Sequence, residues 1–167
     1  MKPLIETERL QLREFDIADA EYLYYLNLNP NVIRYSGDKH FQTIQQAEDF
    51  LLNYNDYKIN GYGRWAVIQK ADNKFLGWCG LKYSKKLNET DIGFRFYEEH
   101  WNKGFATESA KACIDFGFNR LNIETIVGRA MKKNVYSIKV LEKIGLTYEK
   151  DFDFENNEGV IYRMNKI

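Results

Sequence analysis

The sequence is poor in the residues that mark specialised chemistry. Of its 167 residues only two are cysteine, two proline and two histidine. Cys79 and Cys113 show neither metal-ligand spacing nor a disulfide framework, so no metal is expected. One bridge between them remains open in principle, but two isolated thiols point to a reducing, cytoplasmic setting. With Pro3 and Pro30 the only prolines, and with no Gly/Ser linker, repeat or low-complexity tract, one domain over 1–167 is expected. Twenty-four acidic side chains balance twenty-four Lys and Arg. No basic stripe stands out, which leaves a nucleic-acid surface without electrostatic support. No apolar run approaches the roughly 20 residues of a membrane-spanning helix. The opening Met1-Lys2-Pro3-Leu4-Ile5-Glu6 is too short and polar for a signal peptide. A soluble protein with no membrane partner is the expectation.

What is present is an ordinary globular balance, 44% hydrophobic and 29% charged, with a high aromatic share of 16%. Arg9–Arg13 alternates apolar and polar residues, as a half-buried strand does. Asp16 caps a predicted helix over 17–28. Thr43 and Gln46 form a capping pair before a second helix over 44–58. Between these helices, Asn29–Gln42 reads as a substrate-side loop or as a packed connection. Strands follow at 63–69 and 75–83, joined by Asp72-Asn73-Lys74, and at 89–97. A helix over 105–120 places Ala106, Ala110, Cys113, Ile114, Gly117 and Leu121 on one face. A strand at 123–130 precedes a helix over 135–144 that stops at Gly145. Two last strands, 147–154 and 160–166, are joined through Asn156–Gly159. Strand–helix–strand around 89–130 implies parallel pairing and a right-handed crossover. The rest is antiparallel. The fold class is therefore α/β, a mixed sheet of about seven strands with helices on both faces.

The sharpest local signal is Trp101-Asn102-Lys103-Gly104-Phe105-Ala106-Thr107, between a strand and a helix. The first N–H groups of a helix lack internal partners and lie at its positive end. A pyrophosphate placed there receives several donors at once. Gly104 admits close approach, and Lys103 adds a mobile charge. A plain loop with a glycine at a helix start is the alternative. The nucleotide-binding loop fits worse, because Gly104 is followed by Phe105-Ala106 rather than Lys-Ser/Thr. The dinucleotide fingerprint needs three glycines where one stands.

Three segments together resemble the GNAT superfamily of acyl-CoA N-acyltransferases, in its RimJ/RimL-like branch. They are Thr7–Arg13, the stretch from Asp91-Ile92-Gly93-Phe94 through Trp101–Glu108, and Asn134–Ser137 with Leu141–Leu146. The resemblance implies a three-layer α-β-α fold, with the sheet splayed between its fourth and fifth strands, 89–97 and 123–130. It implies acetyl-CoA as cosubstrate. The pantetheine arm would pair with backbone around Phe94, Arg95 and Phe96 as an added strand. The amides of Trp101–Thr107 would hold the pyrophosphate. Asn134 matches a side chain that reaches the coenzyme's arm, though a helix N-cap suits it equally. Two positions depart from the superfamily: the loop opens with Trp101 rather than Arg or Gln, and Leu141 stands where many relatives carry a catalytic Tyr. In the RimL-like branch a serine one turn earlier serves as acid, and Ser137 matches it. A plain helix-surface serine is the alternative there.

The implied reaction is direct attack of a neutral amine on the thioester in a ternary complex. A backbone N–H near Phe94 would serve the oxyanion, and Ser137 would protonate the thiolate. Asp91 and Glu89 are the candidates for a base acting through water, or are surface carboxylates. An α-amine has a pKa of about 7.7–8.0 and a lysine about 10.4, roughly 3.4 kcal/mol more to deprotonate. A site with no evident strong base therefore suits an α-amine. This accords with the branch's action on protein N-termini, including ribosomal ones; small amines and antibiotics are its other acceptors. A non-catalytic CoA-binding module on the same fold is a second reading, and an aromatic-rich interaction domain a third. Monomer and homodimer both remain open. His40 and His100 fall in loops; His100, just before the phosphate loop, is expected to be solvated, with an approach to the coenzyme as the alternative.

Overall fold

The computed structural model describes residues 2–154 and 156–167. Eight strands form one mixed sheet: β1 (Ile5–Glu6), β2 (Leu10–Arg13), β3 (Arg64–Gln69), β4 (Phe75–Ser84), β5 (Glu89–Phe96), β6 (Thr125–Met131), β7 (Thr147–Phe154) and β8 (Asn157–Asn165). Their order across the sheet is β1-β2-β3-β4-β5-β6-β8-β7. The α/β class and the mixed sheet agree with the sequence reading. The eighth strand is β1, too short for a periodic pattern to announce it. Position 155, between β7 and β8, lies outside the described residues. β8 starts earlier than 160, and Gly159 is already paired with Phe152 and Met131.

Helices α1 (Ala20–Leu28), α2 (Pro30–Ile33), α3 (Ile44–Leu52) and α4 (Asp56–Asn60) precede β3; α5 (Phe105–Asn119) and α6 (Val135–Lys143) follow β5 and β6. Asp16 caps as expected, but it opens a 3-10 turn at Ile17–Asp19 before α1 begins. The Asp19 carboxylate bonds back to the Asp16 amide and pairs with Arg13 at 2.7 Å. The single helix expected over 44–58 is two helices. Asn53 ends α3 by returning its side-chain amide to the Asp49 carbonyl at 2.8 Å. Tyr54 and Tyr57 then turn inward, their rings 5.1 Å apart, and their hydroxyls meet the Arg64 amide and carbonyl. Side-chain anchoring to β3 outweighs helix propensity, which is a weak prior.

The strand alternation assigns the two faces. Trp65 and Val67 of β3, Ile92 and Phe96 of β5, and Ile126 and Ala130 of β6 pack with the apolar faces of α5 and α6. Leu23 and Leu26 of α1 pack with Ala66, Ile68 and Phe75 on the other face. Burying each such aliphatic side chain stabilises by about 1.5–3 kcal/mol. Cys79 and Cys113, isolated in sequence, meet inside this core with Sγ atoms 3.7 Å apart as free thiols.

β5 and β6 are parallel but pair only at Thr90↔Ile126 and Asp91↔Val127. Meanwhile β5 stays paired with β4 as far as Phe96↔Gly77, and β6 with β8 as far as Met131↔Gly159. Each strand is held from its outer side while the facing edges diverge. The gap is a wedge whose apex lies at Asp91 and Val127.

Candidate active site

The wedge opens into a cavity of about 620 Å³. Along one wall run Ile92–Phe96 of β5, and opposite stand Ala130 of β6 and Asn134, Tyr136, Ser137 and Leu141 at and within α6. Past Asp91, backbone groups on the facing edge of β5 have no strand partner. Such groups are obligatory hydrogen-bonding positions that an extended ligand can satisfy. Trp101 closes this edge: its indole Nε1 donates to the Phe96 carbonyl at 3.0 Å, and its ring stacks on Tyr136 at 6.1 Å. The Phe96 carbonyl is thereby engaged within the protein, leaving the stretch from Ile92 to Arg95 as the open edge.

Beyond Trp101 the chain makes the sharp turn into α5. Asn102 and Gly104 both have positive φ, 58° and 80°. Gly104 is the N-cap of α5 and offers no side-chain cap. Among the described residues, the amides of Asn102–Thr107 have no hydrogen-bond partner. Six unpaired donors thus lie in one short stretch at the helix start, where the helix dipole adds positive potential, as anion-binding helix starts do. The loop is braced from behind. Arg9 donates to the Lys103 carbonyl at 2.9 Å, lies 4.5 Å above the Phe105 ring and pairs with Glu108 at 2.7 Å. The Thr7 hydroxyl donates to Glu108 at 2.6 Å. Burial alone would raise the Glu108 pKa, but these partners outweigh it and hold the carboxyl below its ordinary value. The sequence reading placed Thr7 and Arg9 in a motif without a role; only the fold sets them against the loop.

Ser137 and Asn134 lie together at the start of α6. The Asn134 side chain caps α6, accepting from the Ser137 amide at 3.2 Å, and it also lines the cavity, so cap and cleft positions coincide. The Ser137 hydroxyl has no partner among the described residues, unlike Ser109, whose hydroxyl turns back to the Phe105 carbonyl at 2.7 Å. It faces the cavity with its proton uncommitted. Leu141, one turn on, is buried against Gly128: a Cβ on that glycine would come 2.4 Å from Leu141 Cδ2. Tyr136, which sequence reasoning passed over, lines the same wall, and burial pushes its phenol pKa up.

The two carboxylate candidates occupy different places. Asp91 lines the cavity at the wedge apex, its Oδ1 taken by the Arg64 guanidinium. Glu89 lies one residue pair below and outside the lining, bridged by Arg129 and by Arg163 at 3.0 Å. Glu89 thereby ties β5 to β6 and β8 at the closed end of the wedge. Neither carboxylate is free of a guanidinium partner. His100, expected to be solvated, is instead buried between the edges of Tyr97 and Phe105. Its Nε2 lies 3.1 Å from Glu99 Oε1, but the angle makes no hydrogen bond and the nitrogen is left unsatisfied. Burial pushes its pKa down. Cys113 is fully buried, and burial raises its thiol pKa, which leaves it without thiolate character. His40 remains exposed.

On the far side of β5 the cavity continues over the other sheet face. There the Trp78 ring lies between two guanidiniums, Arg64 at 5.4 Å and Arg95 at 5.3 Å. The Arg95 side chain points to this side, bonded to Asn27 at 2.9 Å and Asp38 at 2.6 Å. Only its backbone faces the wedge. Gly93 makes the arrangement possible: a Cβ there would lie 2.6 Å from Arg64 Nη2. Asn31–Asp38 supplies the roof, and Phe154 of β7 closes one end. The segment that the sequence left between loop and packed connection thus forms a cavity wall.

Residues 9–147 match the family model described as an acetyltransferase (GNAT) domain. An uncharacterized N-acetyltransferase of Bacillus licheniformis, p20, is 33% identical over 158 residues, covering 92% of this chain and 88% of its own length. The crystal structure of a GNAT-family acetyltransferase from Bacillus anthracis superposes with a TM-score of 0.84 at 26% identity, covering 97% of this chain and 98% of that one. Spermidine N-acetyltransferase from Vibrio cholerae, in complex with CoA and spermine, gives a TM-score of 0.81 at 19% identity, covering 96% and 97%. At that identity the likeness is one of fold.

Proposed function

This chain belongs to the GNAT family and is an acetyl-CoA-dependent N-acetyltransferase, and from that premise we propose that it acetylates an α-amine by direct attack in a ternary complex, as a single catalytic domain of the RimJ/RimL-like branch. One observation carries the reading: the facing edge of β5 is unpaired past Asp91, and the unpartnered amides of Asn102–Thr107 follow it in the chain, after the 3-10 turn at Glu98–His100. An extended arm ending in a pyrophosphate satisfies both. The Vibrio cholerae neighbour of the same fold was solved with CoA, which supports that coenzyme as the ligand.

The pantetheine arm pairs with β5 between Ile92 and Arg95 and places the thioester near the wedge apex. The amine, arriving from the Trp78 side, attacks the carbonyl carbon. Charge then develops on the carbonyl oxygen, where a β5 amide near Phe94 stabilises it; one such donor is typically worth about 10²–10³ in rate. As the C–S bond breaks, Ser137 Oγ gives its proton to the leaving thiolate and takes back, through water, the extra proton carried by the nitrogen of the adduct, so the serine ends the step protonated. Asp91 is paired with Arg64, so it orders the approach rather than competing for the amine's proton. An acceptor that is partly neutral near pH 7.5, an α-amine, is favoured over lysine. The adjacent buried thiols suit a reducing, cytoplasmic setting.

Leu141, apolar and buried where relatives carry the acid, favours the non-catalytic reading of the same fold. Calorimetry with acetyl-CoA, combined with released-thiol assays over N-terminal peptides, polyamines and aminoglycosides, separates the two. We expect binding, and turnover on peptides. Binding without turnover on any amine would favour the module, and a kinetically competent acetyl-cysteine would refute direct transfer.

A further inference from the structure

Past Asp91 and Val127 the walls of the wedge share no backbone pairing. At its closed end they are tied by charge, Glu89 of β5 holding Arg129 of β6 and Arg163 of β8. At its open end they are joined by a pair of rings. Trp101, which opens the loop before α5, stacks on Tyr136 of α6 with ring centres 6.1 Å apart and planes 24° from parallel, an offset stack. Each ring is fixed to its own wall. The indole Nε1 donates to the Phe96 carbonyl at 3.0 Å, and the Trp101 amide to the Glu98 carbonyl at 3.1 Å. Tyr136 sits in the first turn of α6, which the Asn134 side chain caps and which Val140 and Leu141 seat in the core. Both rings are partly buried against that core.

Their chain neighbours give the contact its meaning. Asn102, next to Trp101, is the first of the unpartnered amides at the start of α5. Ser137, next to Tyr136, lines the cavity and carries the hydroxyl assigned to the thiolate. The pyrophosphate and the sulfur are two ends of one arm of fixed covalent length, so the spacing between their sites has to match that length. Strand pairing does not set this spacing, because the two sites stand on opposite walls.

We propose that Tyr136 is a positioning residue: through its stack on Trp101 it fixes the spacing between the phosphate loop and Ser137, so that a coenzyme held by its pyrophosphate presents its sulfur to the serine. This rests on the acetyltransferase reading above and deepens it. Tyr136 touches no reacting atom. The contact is made by its ring and not by its hydroxyl, so phenylalanine can make it too. Arg9 braces the loop from behind, and Tyr136 braces it from the opposite wall.

The test compares two acetyl donors, acetyl-CoA and S-acetylpantetheine, which has the same arm and thioester but no pyrophosphate. Thiol release is measured with the best acceptor of the panel above and normalised to folded protein by circular dichroism. Tyr136→Leu removes the stack and should lower kcat/KM with acetyl-CoA by roughly ten- to hundredfold, the scale of a misplacement of about 1 Å. With S-acetylpantetheine, slower throughout because it is unanchored, the same variant should lose less than about threefold, since a free arm reaches the serine without a fixed spacing. Tyr136→Phe, which keeps the ring, should restore most of the loss. Trp101→Leu breaks the same contact from the other wall and should show the same donor-dependent loss, and it decides the matter if Tyr136→Leu does not fold. An equal loss with both donors marks ordinary packing of α6 and overturns the proposal, as does no loss with either; both results leave the acetyltransferase standing. A wild-type chain that binds acetyl-CoA but acetylates no amine of the panel overturns the acetyltransferase reading and this proposal with it.

Discussion

Arg9 Nε and Glu108 Oε2 lie 2.7 Å apart across 99 positions of sequence, and the contact sits directly behind the loop proposed to hold the pyrophosphate. Through Arg9 the β1–β2 turn also holds the Lys103 carbonyl and covers Phe105. The loop's shape is therefore set partly from outside itself.

Arg9→Gln should raise the KM for acetyl-CoA several-fold while kcat stays within about twofold. Because the pair is partly exposed, the stability cost should be about 1 kcal/mol. A double-mutant cycle with Glu108→Gln, read by both thermal unfolding and KM, should show coupling. Additive effects would mean that the bridge is incidental.

The same pair predicts acid behaviour. The Glu108 carboxyl is held below its ordinary value of 4.5, so the unfolded chain binds its proton more readily. The stabilisation is complete above that value and is lost as pH falls through the lowered one. The difference in unfolding midpoint between wild type and Glu108→Gln should be constant near pH 7 and close below about pH 4. A gap that widens on acidification would contradict it.

His100 predicts a second window. Its pKa is pushed below 6.5 by burial. The unfolded state therefore takes up the proton first, and stability falls as pH drops from about 6.5 through the folded value. His100→Phe should flatten the midpoint-versus-pH curve between pH 7 and pH 5. An unchanged slope would show that this ring does not titrate on unfolding.

Gly104 has φ of 80°, and a Cβ there would come 3.3 Å from Arg9 Nη2. Gly104→Ala should cost about 1–2 kcal/mol of stability for the left-handed backbone. It should also weaken acetyl-CoA binding in calorimetry more than Arg9→Gln does, because the amides themselves are re-aimed.

Ser137→Ala should lower kcat by about 10²-fold, the lower end for a lost proton donor, with little change in the KM for acetyl-CoA. Asn134→Ala should instead cost about 1 kcal/mol in stability through the lost cap. Glu89→Gln should lower the unfolding midpoint, by removing the close partner of Arg129 and one of the two carboxylates on Arg163, and leave kcat nearly intact. If Glu89→Gln abolished turnover with the fold preserved, Glu89 would be the base after all.

Local chemistry was legible wherever its partners are near in sequence. The alternation of Leu10 and Leu12, the Asp16 cap, the turn at Asp72–Lys74 and the glycine-opened start of α5 are all short-range patterns, and each appears in the fold. The break at Asn53, the burial of His100 and the pairing of Cys79 with Cys113 were hidden, because tertiary packing overrides propensity and loop polarity.

By itself the sequence determined the order of the longer strands and helices, though not β1, α2 or the division of α3 from α4, together with their apolar faces and the helix start whose amides lack partners, since these follow from periods of two and 3.6 and from capping within a few residues. Only the tertiary structure decided how far β5 and β6 part and which carboxylates are consumed by arginine. Those depend on distances between strands and side chains far apart along the chain, and on electrostatic pairing that falls off with separation in space, not in sequence.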